Sequence, residues 1–129
     1  MTRQDLDTKM SEIFRRHGVF FAFSAGQYQE QARPGTKYVN CGAGMVCPEG
    51  QVAEMTAELE AAIKAFHAAD LAENGKTKII WRELANYEAQ ITHDITDTAE
   101  ALKGYGITRE EILAEWPAYL RHCLNNDLF

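Results

Sequence analysis

No run of apolar residues here approaches the ~18 that span a membrane. The longest, Val19 to Phe23, is far too short. The N-terminus lacks the basic start and apolar core of a secretory signal, because Asp5, Asp7, Arg15 and Arg16 interrupt it. Three cysteines are too few, and an odd number, for a disulfide framework. These absences together predict a soluble, cytoplasmic protein. Cations are also scarce, 13 Lys/Arg against 19 Asp/Glu for a net charge of −6. Residues 1–47 carry six Lys/Arg against four Asp/Glu and residues 48–129 seven against fifteen, a division of +2 against −8. An acidic C-terminal two-thirds repels a phosphate backbone, so no nucleic-acid partner is expected; it suits a basic protein partner, or simply solubility. Neither a phosphate-cradling glycine loop nor a nucleophile elbow is present, since Cys41-Gly-Ala-Gly-Met lacks the required spacing and lysine. There is no internal repeat, low-complexity tract or linker. At 129 residues, 46% of them hydrophobic, the chain reads as one domain, 1–129, able to bury roughly two-thirds of its unfolded surface.

What is present is organised around the stretch from Cys47 to Gly75. Pro48 can open a helix, where its missing N–H goes unneeded, and Asn74-Gly75 can close one in the left-handed conformation. Between them Val52, Met55, Leu59, Ala62, Phe66 and Ala69 recur at alternating steps of three and four, which draws one apolar stripe along a long helix. Upstream, Leu6, Met10, Ile13 and Phe14 share a helical face over 4–16, ended by Gly18. Val19 to Phe23 reads as a buried strand. Ser24 and Gln27 stand at capping-box spacing for a short helix over 25–31, and Arg33-Pro34-Gly35 is a turn. Two strand pieces follow, around Tyr38 and Met45, with a bulge or tight turn at Gly42 and Gly44.

Downstream, Ile80, Leu84, Tyr87 and Ile91 predict one helix over 76–91, and Ile95, Ala99 and Leu102 a short one over 93–103. The clearest signal is the last. Thr108 and Glu111 form a capping box, and Ile107 with Ile112 occupy the positions of a hydrophobic staple. That helix runs through Trp116, meets a kink or restart at Pro117, and continues its stripe at Leu120 and Cys123. The expected fold is α+β and helix-dominated, about five helices packed on a small two- to three-stranded sheet. The exposed sheet edge or the apolar stripe could serve a homodimer.

Candidate chemistry is thin. Cys41 and Cys47 are six apart without a second pair, so no zinc or other cofactor is expected. Cys47 precedes a helix, where a thiol can be activated, yet it has no nearby histidine and reads as structural. Arg82, Glu83, Asn86, Glu88, His93 and Asp94 gather in one polar segment. On an unbroken helix His93 and Asp97 would share a face at metal-compatible spacing, but Thr92 and Asp94 also look like helix caps. His17, His67 and His122 have no motif around them.

Four pieces, Phe20-Phe-Ala-Phe-Ser, Gly42-Ala-Gly-Met-Val-Cys-Pro, Ile80-Trp-Arg-Glu-Leu-Ala-Asn-Tyr-Glu and Asp94-Ile-Thr-Asp-Thr, resemble small uncharacterised accessory proteins of bacteriophages, prophages and related mobile elements. The likeness covers about Phe20 to Glu111 and carries no catalytic motif. It implies a setting inside a bacterial host, where such small acidic proteins commonly bind host proteins, including defence systems. Two functions follow. The first is a non-catalytic protein, an inhibitor or modulator, that presents an acidic helical face with Glu54, Glu58 and Glu60 to a basic host protein. The alternative is a small enzyme or ligand-binding domain built on the Arg82–Asp94 cluster. Convergence of those six side chains in one hollow, or their scatter, discriminates the two.

Overall fold

A computed structural model describes residues 1–129. The fold is α+β and helix-dominated, with seven α-helices and one three-stranded antiparallel sheet. The chain divides into two compact units, residues 1–66 and 67–129, each with its own apolar cluster.

In residues 1–66, α1 (Arg3–Arg16) starts with a capping box. The Thr2 hydroxyl accepts the Asp5 N–H, and the Asp5 carboxylate accepts the Thr2 N–H. Gly18, at φ +72°, turns the chain out of the helix. The aromatic run then gives a strand of only two residues, β1 (Phe20–Phe21), and Phe23 is 74% exposed. A fully buried strand over Val19–Phe23 is therefore not formed. After it, Ser24 caps α2 (Ala25–Gln31) by accepting the Gln27 N–H, while the Gln27 side-chain oxygen Oε1 accepts the N–H of Phe23. A turn at 33–36 leads into β2 (Tyr38–Gly42) and β3 (Met45–Pro48). The sheet order is β1-β3-β2, with the register irregular between Asn40 and Gly42, where Cys41 is the extra residue. The bulge and tight turn expected at the glycines are both there. Gly44, at φ +79°, also lies under the Phe23 ring, so a side chain there would collide with it.

A single 3₁₀ turn, Glu49–Gln51, separates Pro48 from α3 (Val52–Asn74). Thus Pro48 ends the central strand rather than opening the helix. The stripe falls where its period puts it as far as Phe66; Ala69 is only partly buried, and Asp70 takes the buried position beside it. Met55, Ala62 and Phe66 are buried with Leu6 and Ile13 of α1 and Cys47 of β3, and Val52 and Leu59 pack against them. Gly75, at φ +78°, closes α3 and leads directly into α4 (Lys76–Asn86).

Residues 67–129 bury Ile79, Ile80, Leu84, Ile95, Leu102, Ile107, Ile112, Tyr119 and Cys123 in a core of their own. The helix expected over 76–91 breaks at Tyr87–Glu88. Glu88 adopts the left-handed conformation, and α5 is only Ala89–Thr92. The break rotates the pattern, so Ile80 and Leu84 are buried whereas Tyr87 and Ile91 are exposed. His93 is left-handed in turn, and α6 starts at Thr96 and ends at Leu102. Finally α7 (Arg109–Asn125) begins with the expected box: Thr108 accepts the Glu111 N–H and Glu111 the Thr108 N–H, with Ile107 and Ile112 buried beside it. It runs through Pro117 without ending.

Candidate functional site

The acidic face comes first. Glu54 and Glu60 are exposed on α3, on the side away from Met55 and Ala62, and no cation pairs with either. Glu58 differs. Its Oε2 sits 2.7 Å from Arg16 Nη2 and 2.9 Å from His17 Nε2. The other His17 nitrogen, Nδ1, is 2.7 Å from Gln51 Oε1. Thus a buried imidazole stands between two oxygens, and hydrogen bonds to Gln51 first and Glu58 second raise its pKa above the usual 6.5. The bond from His17, aided by Arg16, lowers the Glu58 carboxyl in return. Glu58 is thus a structural partner, and the free acids of this face are Glu54 and Glu60.

The six-residue polar segment does not converge. Arg82 Nε donates to Glu83 at 3.2 Å, and Asn86 to Glu83 at 3.4 Å. Beyond the break, Asp94 turns inward to its own helix start, where its carboxylate accepts the Thr96 hydroxyl at 2.6 Å and the Thr96 N–H at 2.9 Å. These two bonds hold its carboxyl below the ordinary range. Thr92 accepts the Asp94 N–H, so both residues do act at a helix boundary. Glu88 and His93 are exposed, and the His93 ring meets the edge of Trp116 at 6.1 Å. Because His93 is itself the left-handed residue that ends α5, it shares no helix with Asp97 of α6 and loses the i, i+4 relation a shared metal would need. No three His, Cys, Asp or Glu side chains come together as a metal site.

What the sequence does not announce is the partner Arg82 finds. Asp70, only 5% exposed, receives Arg82 through two nitrogens at 3.2 and 2.9 Å, the Tyr105 hydroxyl at 2.6 Å and the Asn74 amide at 2.7 Å. Burial alone pushes this carboxyl up, but the three hydrogen-bonding partners outweigh it and hold it at about 2. Burial and the bond to Asp70 push Tyr105 up to about 12. The His67 ring stacks on Tyr105 at 4.0 Å, with Nδ1 2.9 Å from the Gly104 carbonyl. A carboxylate held this low with four donors on its two oxygens is a poor proton acceptor. Its chemistry is to fix the end of α3 against α4 and the Gly104–Tyr105 turn. The sequence does carry one signal for it: Asp70 lies four residues after Phe66, a polar residue at a core position of the stripe.

The thiols divide by exposure. Cys47 and Cys123 are fully buried, and burial raises the Cys47 pKa; placed on the central strand, it gains nothing from a helix start. No helix is long and apolar enough to cross a membrane.

Compared with known protein families, residues 2–122 match one described as Family of unknown function (DUF7659). The chain belongs to that family. No curated protein and no solved structure matches it.

Proposed function

We propose that this member of a family of unknown function is a non-catalytic accessory protein of a phage or mobile element, working in the host cytoplasm by docking an acidic helical face on a basic host protein. The observation that carries the reading is the position of Glu54 and Glu60, exposed and unpaired on the outer side of α3, whose inner side is committed to the core. The −8 of residues 48–129 extends the same sign of charge along the chain. The likeness of four sequence pieces to phage-borne proteins supports the setting. The dispersal of the Arg82–Asp94 segment, and the commitment of Arg82 to Asp70, weigh against the alternative of a small enzyme centred there. The exposed edge strand β2 is the surface through which two copies would pair, if the protein acts as a homodimer.

Charge complementarity acts chiefly on encounter, so binding should weaken as the screening length falls from ~30 Å at 0.01 M salt to ~8 Å at physiological strength. Affinity capture from a bacterial lysate, with wild type beside Glu54→Lys/Glu60→Lys, tests the reading. A basic protein retained by wild type at low salt and lost with the double reversal is expected. Retention that ignores both salt and the reversals would assign the acids to solvation. Glu58 is left intact so that His17 and Arg16 keep their partner.

A further inference from the structure

The N-terminal third of the chain is the one cationic stretch of an acidic protein, and its cations are not spread evenly. Arg15, Arg16 and Arg33 line one hollow of about 570 Å³ in residues 1–66, together with Phe20, Thr36 and Tyr38, and no carboxylate lines it. The volume lies in the range of small-molecule sites. Arg16 is spoken for by Glu58 at 2.7 Å. Arg15 and Arg33 are not, since no acidic side chain pairs with either guanidinium.

Arg15 has a local reason to be where it is. A cation in the last turn of α1 offsets the negative end of the helix dipole. Arg33 has no such reason, because it stands in the turn after α2. The turn nonetheless fixes its backbone: the Arg33 N–H donates to the Tyr38 hydroxyl at 3.0 Å, and the Thr36 N–H to the Arg33 carbonyl at 3.3 Å. Two unpaired cations delivered by unrelated elements to one concavity give that concavity a positive field that favours an anion. Guanidinium pairs of this kind suit a phosphate, whose oxygens can take two forks at once. Aromatic and apolar side chains line the same hollow: Phe20 and Tyr38 pack edge to face at 5.3 Å, and Val19 and Pro48 extend the apolar surface. A bare phosphate would leave most of 570 Å³ to water.

We infer that the hollow between the end of α1, β1 and the Arg33 turn is a binding site for a mononucleotide, with Arg15 and Arg33 on its phosphate and the Phe20–Tyr38 wall against its base. This goes beyond the acidic docking face and is independent of it: the residues, the sign of charge and the ligand all differ. It is compatible with the expectation of no nucleic-acid partner, since one phosphate does not require the extended basic surface that a polymer does.

Calorimetric titration of the full chain with AMP, GMP, CMP and UMP, each beside its nucleoside, and with inorganic phosphate tests the site. At least one nucleotide should bind saturably, at least about tenfold more tightly than its nucleoside or phosphate alone, the loss expected for one charged hydrogen-bonding partner. Arg33→Ala and Arg15→Ala should each weaken that nucleotide by about tenfold, with Arg33→Lys in between. Both positions are exposed, so the melts should stay at the wild-type value. The inference is overturned if no nucleotide saturates at millimolar concentration, if nucleoside and nucleotide bind alike, or if Arg33→Ala leaves the affinity unchanged.

Discussion

Each half of this protein buries one histidine or carboxylate, His17 in residues 1–66 and Asp70 in residues 67–129, and the two do so with opposite chemistry. Residues 1–66 enclose a histidine between a carboxylate and an amide; residues 67–129 enclose an aspartate among a guanidinium, a phenol and an amide. Both are fully satisfied, and no buried side-chain nitrogen or oxygen lacks a partner. The difference is in when the charge disappears. Imidazole titrates near neutrality, so the first cluster holds its charge only on the acid side. A carboxylate fixed at about 2 stays ionised at every pH the protein meets. A buried charge is thus permanent in one half and conditional in the other.

The cores set the baseline for this contrast and carry the largest expected effects. Phe66→Ala, in the cluster of α1, β3 and α3, should cost ~3–5 kcal/mol, and Leu102→Ala, in the helical core, ~2–5. Urea unfolding of the two variants measures both; a wild-type midpoint for either would show that its residue is not packed as described.

The acid limb comes next. Asp70 is held below its ordinary 3.8, so its contribution is present above about pH 4 and is lost as pH falls towards 2. At ~1.4 kcal/mol per pKa unit that is roughly 2 kcal/mol. Asp70→Asn should be less stable than wild type at pH 7, and the gap should narrow towards pH 2. A gap independent of pH would mean that geometry, not ionisation, is what Asp70 provides.

His17 bears the opposite sign. Its pKa is raised above 6.5, so the stability it lends is complete below pH 6.5 and is lost as pH rises through the folded value. Glu58, lowered from 4.5, contributes above that pH and loses its effect on further acidification. The cluster is therefore strongest between those limits. Proton NMR should show the His17 ring titrating above 6.5; a midpoint at or below that value would break the contrast between the halves.

The smallest effects test a likeness. Both halves use a threonine capping box, Thr2 with Asp5 and Thr108 with Glu111. Thr108→Ala should cost ~1 kcal/mol, and Thr2→Ala less, since Ile107 is buried beside the box of α7 whereas Met1, at the same place on α1, is exposed. Thermal melts that rank them the other way would place the more important cap on α1.

Where local chemistry decides the structure, the sequence was sufficient. The stripe of α3 is carried by its period alone, and the caps of α2 and α7 by residues three apart. The bulge and turn around Gly42 and Gly44 need only glycine's freedom. Tertiary context decides the rest. Glu88 takes a left-handed conformation that ordinary residues resist, so the break between α4 and α5 leaves no composition signal. Residues 19–23 look uniformly apolar, yet only two of them pair, and Phe23 lies across Gly44 instead. Asp70, Tyr105 and His17 each resemble surface residues in isolation. Their burial rests on partners 12 to 41 positions away, as the Asp70–Arg82 and His17–Glu58 contacts show. The Arg82–Asp94 segment is legible as polar and as crossing a helix boundary at Thr92–Asp94, but the earlier break at Tyr87–Glu88 is not, because only the left-handed Glu88 makes it.

The bulge at Cys41 has a practical consequence. Of the three thiols, Cys47 and Cys123 are sealed in the two cores, and Cys41 alone faces solvent, on the outer strand and out of register with β3. A maleimide dye or spin label should therefore attach to the unmutated protein at one defined place, beside the open edge of the sheet. Any partner or second copy that covers that edge would change the label's mobility or block its attachment. Without reductant, the same thiol is where stored protein would cross-link through its sheet edge.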